Sequence, residues 1–506
     1  MSVSPYQQLE REWQRLHAFR GALSLLRWDA AVMMPRGSAA VRGNQLAALE
    51  TETHALLTSP RISRLLDRAQ ASASMLGEWE FANLREMRRQ RDRAIAMPIA
   101  LITRLAQTVA RAEGQWLEAR AQQNFAIFAP HLEEVLNLIR DKAALVGQAL
   151  NLSPYDALAD EFSPGITTAD YDSLFHGYGR RLPSLVREAI ELQKARPVAP
   201  IAGRFNRAQQ RALTVDVMQS MGFSFDHGRL DESTHAFTEG FRGDVRVTTR
   251  FNPDDCLSGL LGALHEAGHA MYANGLPAEW TEQPVGHDCG MALEESQSLL
   301  IEMILVRSRA FVRFLKPLLE KHFGVSGPEW HEENLYRQLT RVRRSPIRVE
   351  ADELTYPLHV QLRYHLERQL LAGELSVAQL PEAWADQLEQ RLGIRPDNAA
   401  DGALQDIHWA LGSFGYFPSY AMGAAIAAQL AEGLRRDLPE LDAQISAGDF
   451  SGLIAWLGQH VHSFGARLKP QELILAATGK PISASASLRY LEAKYLEQSA
   501  SSSAAA

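Results

Sequence analysis

Apolar residues recur every three to four positions over long stretches of this chain, as at Leu132, Val135, Leu136, Leu138, Ile139 and Ala143. That spacing predicts helices with one face in a core. The punctuation is regular. Ser59-Pro60, Met97-Pro98, Ser153-Pro154, Ser163-Pro164-Gly165 and Phe417-Pro418 each mark a helix boundary, because proline lacks an N–H and disfavours helical backbone before it. One segment breaks the pattern. Val245, Val247, Thr249 and Phe251 alternate with Arg246, Thr248 and Arg250, a period of two that predicts a strand. Gly240 and Gly243 before it suit a hairpin turn. The fold class is mainly α, with a small β element. Pro197 to Gly203 is the best candidate for an internal joint, but too short to define a domain boundary. Residues 1–498 are read as one domain. The Ser/Ala-only stretch from Ser499 to Ala506 reads as a disordered tail.

Within the segment from Phe251 to Pro277 the pattern predicts a helix. Asp254 or Asp255 serves as its N-cap, Gly275 and Pro277 as its stop, and Leu257, Leu260, Leu261, Leu264, Gly268 and Met271 as its apolar stripe. His265 and His269 lie four apart on it. One turn of helix puts both imidazoles on one face, where both reach one tetrahedral ion. Glu266 sits on the flank, close enough to take a proton from the attacking water without being a ligand. A catalytic metal site of this kind needs a third protein ligand. His287, Cys289, Glu294 and Glu295 are the downstream candidates. Gly290 to Ala310 is a second predicted helix, and its periodicity does not choose between the two glutamates.

Composition narrows the alternatives. The chain has 506 residues, 46% of them hydrophobic, enough for a large core. Its 52 basic and 60 acidic residues leave a net charge of −8, which argues against an electrostatic nucleic-acid binder. Two cysteines, Cys256 and Cys289, do not make a disulfide scaffold and read as small buried side chains in a reducing compartment. The first residues lack the basic start and apolar core of a signal peptide. No stretch approaches the ~20 apolar residues that span a bilayer. A cytoplasmic location without a membrane partner is the default expectation.

Four ordered motifs carry a resemblance. After His265 to His269 come Glu294-Glu295-Ser296-Gln297, then Ile347-Arg348-Val349-Glu350-Ala351-Asp352, then Gly402-Ala403-Leu404-Gln405-Asp406-Ile407-His408-Trp409. Weaker echoes run from Trp28-Asp29, Met34-Pro35 and Arg42 through Asp231-Glu232-Ser233 and His235 to Phe414-Gly415-Tyr416-Phe417-Pro418. In order and spacing the chain resembles the carboxypeptidase Taq family of metallocarboxypeptidases over nearly its whole length. The resemblance implies a large helical zincin-like peptidase with a deep groove, overhung by the N-terminal helices.

It further implies that Glu295 is the third ligand. Zinc is the default metal, with cobalt or manganese left open by ligand type. Arg348 would bind the α-carboxylate of a peptide with a free C-terminus, a task that suits a planar guanidinium. His408 and Tyr420 are candidate donors to the oxyanion, and His235 a groove-lining group. Gln297, Asp352, Gln405 and Asp406 would support these positions, with Glu350 beside Asp352. Trp28, Asp29 and Arg42 read as structural. Relatives form homodimers, so a dimer is implied. One departure stands out: the family's histidine before the ligand glutamate is Glu294 here. A neutral histidine donates a hydrogen bond there, whereas an ionised glutamate only accepts. The competing readings are an oligopeptidase or dipeptidyl carboxypeptidase with the same metal chemistry, and a catalytically silent peptide-binding relative.

Overall fold

The computed structural model describes residues 3–496, so the predicted Ser/Ala tail lies outside the described residues. Helices dominate, and the proline boundaries fall as read. Ser59 and Ser153 cap helices whose first residues are Pro60 and Pro154. Met97-Pro98 separates the helix Glu78–Ala96 from Ile99–Ala121. The six apolar residues from Leu132 to Ala143 are all buried on the helix Phe125–Leu150.

One large apolar core runs from Ala112 to Tyr495. A smaller one, built around Tyr6, Trp13, Ile62, Leu66 and Met87, holds the N-terminal helices together. The stretch from Pro197 to Gly203 is a loop between the helices Thr168–Lys194 and Arg207–Ser220. Ala189 before it and Leu213 after it enter the same core. Both cysteines are free and buried.

The β element is a three-stranded sheet of β1 (Gly228–Glu232), β2 (Thr238–Phe241) and β3 (Asp244–Thr249), in the order β1-β3-β2. β2 and β3 form the expected hairpin, with Gly243 at φ 93° in the turn. β1 adds a parallel strand on the other side, which the sequence reading did not contain. The N-terminal helix Pro5–Val32 docks on this sheet. Trp28 lies under the guanidinium groups of Arg229 and Arg246, Ser24 donates to Glu239, and Asp29 pairs with Arg42 at 2.5 Å. These contacts agree with a structural part for Trp28, Asp29 and Arg42.

The motif helix spans Ser258–Gly275. Asp255 caps it from outside the first turn, accepting from the N–H groups of Leu257 and Ser258. Thr249 of β3 donates to the Gly259 carbonyl, which ties the sheet to the helix start. The predicted stripe is only part of the buried surface. Leu260, Leu264 and Gly268 are buried, but so are Ala263, Ala267, His269, Ala270 and Tyr272. The helix is packed on several sides.

The second predicted helix, Gly290 to Ala310, is interrupted. An α-helix covers Met291–Leu299, and a π-helical turn, Leu300–Leu305, replaces its continuation. The next α-helix starts at Arg309. Such wide turns recur at functional sites, and this one carries Glu302. Two glycines let the Glu295 helix be gripped closely. A Cβ on Gly268 would lie 2.6 Å from the Ser298 Cα, and one on Gly423 would lie 2.9 Å from the Glu295 Cβ.

Candidate metal centre and substrate groove

The motif helix and the Glu295 helix cross at Gly268, which brings three side chains together. His265, His269 and Glu295 each offer a ligand atom within 4.8 Å of the others. The Nε2 atoms of His265 and His269 stand 4.0 and 3.6 Å from Glu295 Oε2. Of the four candidates for a third ligand, only Glu295 joins the cluster. His287 bonds the Thr281 carbonyl, Cys289 is buried elsewhere, and Glu294 faces the far side of His269. Among the described residues no other group of three such side chains is so arranged.

The donor set suits a divalent cation. Glu302 Oε2 meets His265 Nδ1 at 3.2 Å, which leaves Nε2 for an ion. A carboxylate behind a ligand histidine is the usual way of fixing its tautomer. Glu302 is itself paired with Arg307 at 2.6 Å. Burial disfavours charge on His265, yet Glu295 and Glu302 outweigh it and lift the imidazole to about 10. Burial raises Glu295 to about 7. Burial, with His265 alongside, keeps His269 neutral, well below its ordinary value. The cluster thus stabilises one positive charge among its donor atoms, as a cation site must. Glu302 was missed by the sequence reading. It follows Glu295 by seven residues, two helical turns, so helical periodicity was the signal that could have found it.

Glu266 is buried on the flank of this cluster. Burial raises its carboxyl above the ordinary range. Thr238 of β2 donates to Glu266 Oε2 at 2.7 Å and to the Glu266 carbonyl at 3.0 Å. The edge strand therefore orients the candidate base, a part for Thr238 that no motif announced.

A groove of about 960 Å³ passes over these residues. Its lining includes His265, Glu266 and Glu295, and also Arg348, Tyr356 and Tyr420. Arg348 is buried and gives Nε and Nη2 to Asp406 Oδ1, at 3.0 and 2.9 Å. Burial opposes its charge, but Asp406 more than compensates and raises it. Asp406 also takes Arg363, a fully buried arginine on the helix Tyr356–Ala372 that sequence reasoning missed. Gln405 accepts from the Arg348 N–H and from Arg363. Asp352 accepts from the N–H groups of Arg343, Leu354 and Thr355, and Glu350 accepts from Ser345, so both shape the loop rather than grip the arginine side chains.

The remaining candidates divide. Tyr420 lines the groove, its ring under the Arg348 guanidinium. His408 stands behind it, Nε2 at 3.5 Å from the Tyr420 hydroxyl, and burial lowers its imidazole to about 4. His235 is exposed on the groove wall. Gln297 bonds Ser296 and His462, not any of the three clustered side chains.

A mainly helical fold with two imidazoles and a carboxylate clustered at a groove that also presents a buried arginine defines a metallopeptidase of the carboxypeptidase class. The comparisons agree. The sequence profile of the carboxypeptidase Taq (M32) metallopeptidases matches residues 8–495. The thermostable carboxypeptidase 1 of Thermus thermophilus is 36% identical over 503 residues, covering 97% of this chain and 98% of that protein. Carboxypeptidase 1 of Bacillus subtilis is 33% identical over 483 residues, with 95% and 96% covered. The structure of metallocarboxypeptidase 1 of Trypanosoma cruzi superposes with a TM-score of 0.96 at 37% identity, covering 98% of this chain and all of that one. The chain belongs to the carboxypeptidase Taq (M32) family, and is a metal-dependent carboxypeptidase acting on peptides. Among the described residues no helix is long and apolar enough to cross a membrane.

Proposed function

We propose that this chain releases single residues from peptides with a free C-terminus, using zinc held by His265, His269 and Glu295. Cobalt suits the same donor set. The observation that carries this reading is the shared groove: His265 and Glu295 of the three-residue cluster, Glu266, Arg348 and Tyr420 all line it, and His269 Nε2 stands 3.6 Å from Glu295 Oε2. A divalent ion there supplies a Lewis acid that polarises the scissile carbonyl and acidifies water.

The chain's own groups do the rest. Glu266, oriented by Thr238, takes a proton from the attacking water and returns it to the leaving amine. Its raised pKa suits both directions of transfer. Arg348 and Arg363 share one carboxylate, Asp406. The trio thus carries a net positive charge, and Arg348 is the member that lines the groove. That charge draws the terminal carboxylate of the peptide to Arg348. The Tyr420 hydroxyl donates to the oxyanion that forms at the carbonyl, with His408 positioning it and His235 contacting the chain at the groove wall. Gln405 and Asp406 support the arginine, Asp352 shapes the loop that follows it, and Gln297 braces the Glu295 helix through His462.

The proposal covers one domain, residues 1–498, working as a homodimer in the cytoplasm, where two free buried cysteines are at home. The deciding assay digests an N-blocked peptide and its C-terminal amide side by side. Stepwise release of single residues from the free acid alone supports the reading. Internal cleavage, release of dipeptides, or equal cutting of acid and amide overturns it.

A further inference from the structure

Arg348 meets the groove with part of its guanidinium already engaged. Nε and Nη2 both go to Asp406 Oδ1, and among the described residues Nη1 has no hydrogen-bond partner. A peptide's terminal carboxylate has two oxygens and accepts up to about four hydrogen bonds. One partly committed arginine leaves room for a second donor.

Tyr356 is placed to be that donor. It opens the helix Tyr356–Ala372, with its N–H bonded to the Asp352 carbonyl at 2.9 Å. Asp352 Oδ1 also takes the N–H groups of Leu354 and Thr355, at 2.9 and 3.1 Å, so the turn between Arg348 and Tyr356 is pinned. The Tyr356 side chain is buried and lines the groove together with Arg348 and Tyr420. Its ring meets the Tyr420 ring near edge-on at 6.1 Å, and the Tyr420 ring centre lies 4.9 Å from Arg348 Cζ. The three side chains are therefore neighbours along one wall.

The two phenols differ in their partners. The Tyr420 hydroxyl stands 3.5 Å from His408 Nε2, whereas the Tyr356 hydroxyl has no hydrogen-bond partner among the described residues. Burial raises the Tyr356 phenol well above its ordinary value, so it keeps its proton and stays a donor. A donor in a buried side chain needs an acceptor, and here the acceptor comes from what the groove binds. A peptide brings two strong acceptors to this wall. The scissile carbonyl goes to the metal centre and Tyr420, which leaves the terminal carboxylate for Tyr356.

We propose that the Tyr356 hydroxyl donates to the terminal carboxylate beside Arg348, so that a free C-terminus is read by one charged and one neutral donor. The inference rests on the reading of Arg348 as the carboxylate's partner. A C-terminal amide keeps one acceptor oxygen and turns an NH2 group toward the other donor, so the two donors together reject it more firmly than Arg348 alone.

The test separates binding from chemistry. Glu266→Gln removes the base and keeps the three clustered side chains, so its zinc-loaded, full-length form binds a peptide without cutting it. Calorimetry gives its Kd for an N-blocked tripeptide and for the corresponding amide. Adding Tyr356→Phe, which keeps the ring against Tyr420, is expected to weaken the free acid by roughly 10–100-fold and the amide far less. With Glu266 intact, Tyr356→Phe should raise KM for the free acid and leave kcat in place, whereas Tyr420→Phe should lower kcat. An unchanged Kd for the acid, equal losses for acid and amide, or a fall in kcat at constant KM overturns the proposal. Arg348→Ala in the Glu266→Gln protein is the reference. If acid and amide still differ there as before, the reading of Arg348 itself fails. If that difference vanishes there but survives Tyr356→Phe intact, only the part given to Tyr356 falls.

Discussion

Glu294 Oε1 stands 3.5 Å from His269 Nδ1, on the side of the imidazole away from Glu295. Among the described residues that nitrogen has no hydrogen-bond partner. A metal on Nε2 forces the imidazole proton onto Nδ1, turning it into a donor, and Glu294 is the acceptor that faces it. Both histidines of the cluster are then backed by carboxylates, His265 by Glu302 and His269 by Glu294. Glu294→Gln, and Glu294→His with the family's residue restored, are each expected to lower zinc affinity about tenfold. Chelator competition at fixed pH measures this, and equal affinity in all three proteins would remove Glu294 from the metal's support.

The site was legible where one local period set the geometry. His265 and His269 needed only the helix repeat, and the alternation from Val245 to Phe251 was enough to place β3 beside them. Glu295 was not separable from Glu294 by periodicity, because adjacent residues on a predicted helix differ only in which neighbour they meet. The packing of Gly268 and Gly423 decides that. Thr238, Arg307 and Arg363 gave no signal. Their meaning depends on partners 28, 5 and 43 residues away, which only the fold brings near. The π-helical turn was invisible for the same reason, since Leu300 to Leu305 read as ordinary apolar helix.

Metal binding should release a proton. Without a metal, His265 keeps its proton up to about 10 and Glu295 titrates near 7. At pH 8 the carboxylate is mostly ionised and the imidazole protonated, so an ion displaces about one proton. Apparent affinity should rise about tenfold per pH unit between 8 and 10, flatten above that range, and fall more steeply below 7 as Glu295 also protonates. Calorimetry in buffers of different ionisation enthalpy counts the proton, and a count of zero at pH 8 contradicts the charge balance described here.

Thr238 and Glu266 give a pH-dependent prediction whose sign is fixed. A hydrogen bond to an ionised carboxylate favours the charged form, so its removal raises the pKa. Thr238→Val should lift Glu266 further above its ordinary range. The base must be ionised to accept a proton, so the acidic limb of kcat/KM should move to higher pH while metal content stays whole. Glu266→Gln, by comparison, should lower kcat by about 10²–10⁴ with zinc still bound. A limb that stays in place in Thr238→Val would mean that another group sets it.

Arg348 and Asp406 separate recognition from stability. Arg348→Ala removes the charge proposed to meet the peptide's carboxylate, and a charged hydrogen bond of this kind carries about 2–5 kcal/mol. kcat/KM for a free-acid peptide should fall by about 10²-fold or more, mostly through KM, while the amide is barely affected, so discrimination between the two collapses. Asp406→Asn leaves two buried guanidinium groups without their shared anion, which should cost about 3–5 kcal/mol. The Asp406 carboxyl is held below its ordinary range, because Arg348 and Arg363 outweigh the burial that opposes its charge. A depressed carboxyl contributes stability that is present above its unfolded value of about 3.9 and is lost as pH falls through the folded value. In wild type the unfolding midpoint should therefore drop steeply below pH 4, and Asp406→Asn should start lower and show a shallower acid slope. Equal acid slopes in the two proteins would show that other carboxylates, not Asp406, govern the acid limit.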